Sequence, residues 1–171
     1  MPSPDILIVE DGSIVEDANS YITYDYAESY HTLRGNSVWA DGNALAKQQA
    51  IIRATQSIDA LYEAYWLENK LSDAQELEFP RGEENKEGVI PKNLKKAVAE
   101  AALRELEAPN GLTPDLDRGG KIKKVKADVV EVEYMDGASA MTVYTMLDGL
   151  LADLISGTPG ATINSHDLHL A

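Results

Sequence analysis

The chain contains no cysteine. That excludes a disulfide framework, a thiolate nucleophile and any metal site built on sulfur. One phenylalanine and two tryptophans leave the aromatic character to eight tyrosines. Bases are scarce: 15 Lys and Arg stand against 29 Asp and Glu, a formal net charge of −14. That balance excludes a surface that seeks phosphate everywhere, because affinity for nucleic acid needs a local patch of Lys and Arg. No apolar run reaches the roughly 18 residues of a membrane span, and the N-terminus has no basic segment leading into an apolar one. These absences predict a soluble protein made in the cytoplasm. At 171 residues, 44% hydrophobic and 26% charged, the chain is long enough and apolar enough for one globular domain.

The scarce bases are concentrated. Residues 1–80 hold 14 acids and 4 bases, a net of −10. Residues 81–126 hold 8 acids and 11 bases, a net of +3, and residues 127–171 hold 7 acids and no base, a net of −7. The densest basic piece is Lys121, Lys123, Lys124 and Lys126.

Periodicity predicts a mainly α fold: a small bundle of about four helices with one β-hairpin insertion and extended termini. Residues 5–9 read as a strand or arm that turns at Glu10-Asp11-Gly12. Asn19, Ser20 or Thr23 caps a first helix from Tyr24 to Arg34, and Tyr26 and Tyr30 share one face of it. A loop carrying Trp39 follows. The longest helix is expected from Asn43 to Glu68, where Leu45, Ile51, Ile58, Tyr62 and Trp66 keep a 3.6-residue period. Leu71 to Phe79 is a short helical piece or turn. Pro91 fits the start of a helix over Lys92–Glu107, whose slim face is Leu94, Ala97, Val98, Ala101 and Ala102. A hairpin is expected at about 119–135, with Ala127-Asp128 as its turn and lysines facing Glu131 and Glu133 across the strands. The last helix is expected from Met141 to Ile155. The domain is drawn over 1–156, with a flexible C-terminal tail over 157–171.

No catalytic residue, metal site or cofactor emerges, and the chain does not read as an enzyme. His31 sits beside aromatics with no base or ligand partner in the sequence. His166 and His169 are spaced i, i+3 in a segment with weak helical signals. Paired carboxylates such as Glu83-Glu84 read as a solvated face in so acidic a chain. Gly119-Gly120-Lys121 lacks the spacing of a phosphate loop.

A longer pattern is more specific. Val9-Glu10-Asp11-Gly12, Asp17-Ala18-Asn19-Ser20-Tyr21, Arg34-Gly35-Asn36 and Trp39 open it. Arg53-Ala54-Thr55 with Ile58-Asp59, Leu71-Ser72-Asp73-Ala74-Gln75, Phe79-Pro80-Arg81 and Ile90-Pro91 with Leu94-Lys95 and Ala97 continue it. Leu116-Asp117-Arg118-Gly119-Gly120 and Val130-Glu131-Val132-Glu133-Tyr134 close it. In this order, over roughly residues 7–155, the chain resembles the phage family labelled DnaT-like single-stranded-DNA-binding proteins.

In size, helical layout and hairpin the chain is also similar to the head–tail connector (adaptor) proteins of tailed phages. That resemblance implies a structural virion protein, made in the host cytoplasm and placed at the head–tail interface. It implies a homo-oligomeric ring, twelve copies as a rule, under the portal protein and followed by a tail or next connector protein. DNA would pass an acidic bore without specific binding. On this expectation the portal contacts are Leu154, Ile155, Ile163, His166, Leu168, His169 and Leu170. The subunit or DNA contacts are the hairpin residues Lys121, Lys123, Lys124, Lys126, Glu131 and Glu133. The alternative is a primosome-like replication protein that binds single-stranded DNA through the lysine-rich hairpin.

Overall fold

A computed structural model describes residues 5–82, 88–113, 124–127, 130–133 and 144–159. It is mainly helical. The described helices are α1 (Tyr24–Thr32), α2 (Ser37–Asp41), α3 (Ala44–Tyr62), α4 (Lys92–Glu107) and α5 (Thr145–Leu151), with a single 3₁₀ turn over Glu63–Tyr65 after α3. Five helices therefore stand where about four were expected, because the Trp39 loop is itself a short helix. Two segments, β1 (Lys124–Ala127) and β2 (Val130–Glu133), pair antiparallel with Lys124 opposite Glu133 and Lys126 opposite Glu131. Ala127, placed in the turn by the sequence reading, is a residue of β1.

Local chemistry sets the helix ends. Thr23 caps α1, its hydroxyl accepting from the Tyr26 amide at 3.1 Å. The Asn43 side chain does the same for α3, accepting from the Ala46 amide at 2.9 Å. α3 stops at Tyr62 rather than Glu68. Trp66 leaves the helix to form an antiparallel bridge with Ile155 and to set its ring edge-on to Phe79 at 4.9 Å. Burial of that ring outweighs two more helical turns. Of the two forms expected for Leu71–Phe79, a short helical piece or a turn, the structure has turns and bends.

α4 touches each of the other four α-helices. Its small residues Ala97, Ala101 and Ala102 are fully buried and let it lie close against Ile51, Ala54 and Ile58 of α3. α5 covers it with Leu147 and Leu151, while Met146 is 46% exposed. At its C-terminal end the Glu105 carboxylate is fully buried. It accepts from Arg53 Nε at 3.1 Å and from the amides of Asn110 at 2.6 Å and Leu112 at 3.2 Å.

The N-terminal arm is held by a second buried carboxylate. Glu10 accepts from the amides of Gly12 at 2.8 Å, Ile14 at 3.1 Å and Val15 at 2.8 Å. Winding the chain round one side chain puts Gly12 at φ 110° and Ile14 at φ 62°. The arm then runs beside residues 19–20, with a parallel bridge between Val9 and Ser20.

A third buried polar cluster ties α3 to the segment before Pro80. The Tyr21 hydroxyl sits 2.8 and 2.9 Å from the two Asp59 oxygens, and the Glu78 amide donates to Asp59 at 3.1 Å. The Phe79 amide in turn donates to the Tyr21 hydroxyl at 3.0 Å. Burial pushes the Asp59 carboxyl up to about 7, against the opposing pull of the Glu78 amide and the Tyr21 hydroxyl. Between about pH 4 and 7 the folded chain then holds a proton at Asp59 that the unfolded chain has lost. The Asp59 contribution to stability is full below about pH 4 and falls as pH rises through about 7, by at most about 1.4 kcal/mol per pH unit. Denaturant midpoints measured at pH 5, 6 and 7 should therefore decline more steeply in the wild type than in Asp59→Asn. Equal slopes in the two proteins would show that Asp59 does not titrate in this window.

Candidate nucleic-acid interface

The side chains of nine cations are described, and six of them are paired with carboxylates. Lys47 meets Glu28 at 2.7 Å, and Arg53 meets Glu105 at 3.1 Å. Lys70 and Arg81 share Glu78 at 2.7 and 2.6 Å. Arg34 and Arg104 flank Glu100 at 3.9 and 3.8 Å. Among the described residues this leaves Lys92, Lys95 and Lys96 outside any ion pair, all on the first turn and a half of α4. Lys92 is exposed and the other two are half-buried. Lys95 lies near enough to Asp11 to help hold that carboxyl below its ordinary range, after the larger pull of hydrogen bonds from Ser13.

Along α4 the four-residue spacing continues as Lys92, Lys96, Glu100 and Arg104, a single row on the helix surface. A matching four-residue spacing runs from Tyr26 and Tyr30 on α1 to Arg34, two residues past the end of that helix. Tyr26 and Tyr30 stack with ring centres 6.3 Å apart and planes 22° apart. The Arg34 guanidinium carbon lies 3.4 Å from the centre of the Tyr30 ring, and Arg34 Nη1 donates to the Tyr30 carbonyl at 3.0 Å. The two rows meet at Glu100, which accepts from the Tyr30 hydroxyl at 2.8 Å. Burial, with the Glu100 hydrogen bond second, pushes the Tyr30 hydroxyl up to about 12, so it remains a donor to that carboxylate at any ordinary pH.

His31 fixes α1 against α4 beside this contact. The ring is fully buried, with Nε2 at 3.0 Å from the Ala99 carbonyl and Nδ1 at 2.8 Å from the Asn36 side-chain amide. A carbonyl can only accept, so Nε2 carries the proton and Nδ1 accepts from Asn36. Burial lowers its pKa, which favours the same neutral ring. A cleft of about 380 Å³ opens nearby, lined by Glu28, His31, Asn36, Trp39 and Lys47 among others. Its charges satisfy one another: Glu28 accepts from Lys47 Nζ at 2.7 Å and from the Trp39 indole at 2.9 Å.

The residues singled out from sequence are distributed differently. Lys124 and Lys126 lie on β1, opposite Glu133 and Glu131 on β2. Lys121 and Lys123 fall outside the described residues, as do Ile163, His166, Leu168, His169 and Leu170. Leu154 is half-buried against the core and Ile155 is buried. The last residue of the expected domain, Ser156, donates its amide to the Tyr65 carbonyl at 2.7 Å, and within the first residues of the expected tail Pro159 is buried. The sequence reading placed Tyr26 and Tyr30 on one face but passed over the α4 row. The spacing of Lys92, Lys96, Glu100 and Arg104 was the available signal.

A family model described as "Putative DnaT-like ssDNA binding protein" matches residues 6–166. No curated protein and no solved structure matches the chain. The match corrects the expectation of a head–tail connector, since the family is described by its relation to single-stranded DNA. The connector expectation rested on likeness in size, helical layout and hairpin, and fold-level likeness cannot be turned into a function. Glu28, Glu78, Glu100 and Glu105 pair with six of the protein's own cations, and Glu10 binds backbone amides.

Proposed function

Because the chain belongs to the DnaT-like single-stranded-DNA-binding family, we propose that it binds single-stranded DNA through its few free cations. The observation that carries this reading is a match that spans residues 6–166, nearly the whole chain. The local charge pattern supports it. Phosphate contacts need cations that are not already neutralised, and Lys92, Lys95 and Lys96 meet that requirement. The hairpin lysines Lys121, Lys123, Lys124 and Lys126 add a second basic stretch in the one part of the sequence with positive net charge. Contacts of this kind hold the backbone of a strand and carry no sequence readout.

Fluorescence anisotropy with labelled oligothymidylate tests the proposal. Binding is expected to weaken steeply with salt, log K falling by about 0.7 per decade of salt for each phosphate contacted. Changing the four hairpin lysines to alanine should flatten that slope by up to about 3. No binding at 50 mM salt, or equal binding to a duplex of the same length, overturns the reading.

A further inference from the structure

Resting on that reading, we infer that the strand runs along the seam between α1 and α4, where a row of aromatic side chains lies beside a row of free cations. Non-specific single-strand sites combine a basic track for the phosphates with aromatic faces for the bases. The hairpin supplies lysines, but its one sequence neighbour of aromatic type, Tyr134, falls outside the described residues. The α1–α4 seam holds both elements in one place. Tyr30 and Arg34 touch Glu100, and one helical turn before Glu100 stands Lys96, then Lys92. One turn before Tyr30 stands Tyr26, half-buried and stacked on it. Both rows lead away from the same Tyr30–Glu100 contact.

The electrostatics favour a polyanion here. The two rows carry Arg34, Lys92, Lys96 and Arg104 against one carboxylate, Glu100, which both arginines contact, while Glu28 of α1 is paired with Lys47. Asp11 is the further acid that senses Lys95. From Lys92 to Arg104 the α4 row spans about 18 Å, room for several nucleotides of an extended strand. Roles follow from exposure. Lys92, Lys95 and Lys96 are placed to meet phosphates. Tyr26 offers the aromatic face that a base can stack on, backed by Tyr30 and the Arg34 guanidinium. Tyr30 itself is 7% exposed and acts as a support.

The test measures oligothymidylate affinity, across a salt series, for the wild type and four variants of the full chain. The triple variant Lys92→Ala, Lys95→Ala, Lys96→Ala should lose at least tenfold in affinity at low salt and flatten the salt slope by about 2. Tyr26→Ala should lose about tenfold with the slope unchanged, while Tyr26→Phe keeps wild-type affinity, because stacking needs the ring and not the hydroxyl. The fourth variant is the hairpin quadruple alanine. Thermal melts confirm that each variant is folded, and Lys92→Gln with Lys96→Gln replaces the triple variant if that one does not fold. Full affinity in the lysine and Tyr26→Ala variants, with binding lost only in the hairpin variant, overturns the seam and leaves the function standing. No binding by the wild type overturns both.

Discussion

Glu105→Ala is expected to destabilise the fold by about 3–5 kcal/mol, the usual cost of leaving one partner of a buried ion pair alone. The carboxylate has no exposure and serves three donors at once. Its loss strips Arg53 of its anion, although Arg53 Nη2 keeps the Glu105 carbonyl at 3.0 Å. It also leaves the amides of Asn110 and Leu112 without an acceptor at the end of α4, where Asn110 already sits at φ 61°. Glu105→Gln separates the two contributions. A glutamine oxygen in the Oε2 position can still accept from Arg53 and the Asn110 amide but carries no charge, so a smaller loss is expected. Urea unfolding followed by far-UV circular dichroism measures both. A loss below 1 kcal/mol for Glu105→Ala would mean that water replaces the carboxylate at little cost.

Gly12→Ala is expected to cost about 2–4 kcal/mol. Two independent penalties act at this position. The backbone stands at φ 110°, where an L side chain is strained. A Cβ built there would also lie 2.1 Å from the Gly88 carbonyl oxygen, which is backbone and cannot swing aside. Gly88 is confined in the same way, since its own Cβ would come within 2.4 Å of Pro80 and 2.6 Å of the Gly12 oxygen. Gly35→Ala is the control. It shares a positive φ of 66° but has open space around it, so the backbone penalty alone remains and a loss near 1 kcal/mol is expected. Equal losses at the two sites would assign the whole effect at Gly12 to its dihedral angle.

Helices with strong local signals were legible in the sequence. α4 occupies the expected Lys92–Glu107, because Pro91 and Pro109 bracket it and its apolar spacing admits one face only. Leu94, Ala97, Val98, Ala101 and Ala102 are all buried, as that face requires. α3 was legible at its start, where Asn43 caps it, and misread at its end. The residues after Tyr62 have no local stop signal, and the turn at Trp66 is enforced by distant partners, Phe79 and Ile155. Glu10, Glu105 and Asp59 were invisible as structural residues. In a chain with 29 acids, nothing local separates a carboxylate that will be buried from one that will be solvated. The seam escaped for a related reason. Each row was written in its own helix, but only the fold sets Glu100 against Tyr30, residues separated by 70 positions. The DNA-repelling bore came with the connector resemblance, and a net charge of −14 does not say where the free cations stand.

α4 abuts every other α-helix, and its first turns carry the three unpaired lysines. A helix so placed is expected to open together with its neighbours, since fraying its start would uncover the buried Leu94 and Val98. Its amides are therefore expected to exchange with the slowest cooperative unit of the molecule rather than as a separately melting surface segment. A ligand held on such an element is read out as tightening of the whole domain, with no hinge or local rearrangement needed to transmit it.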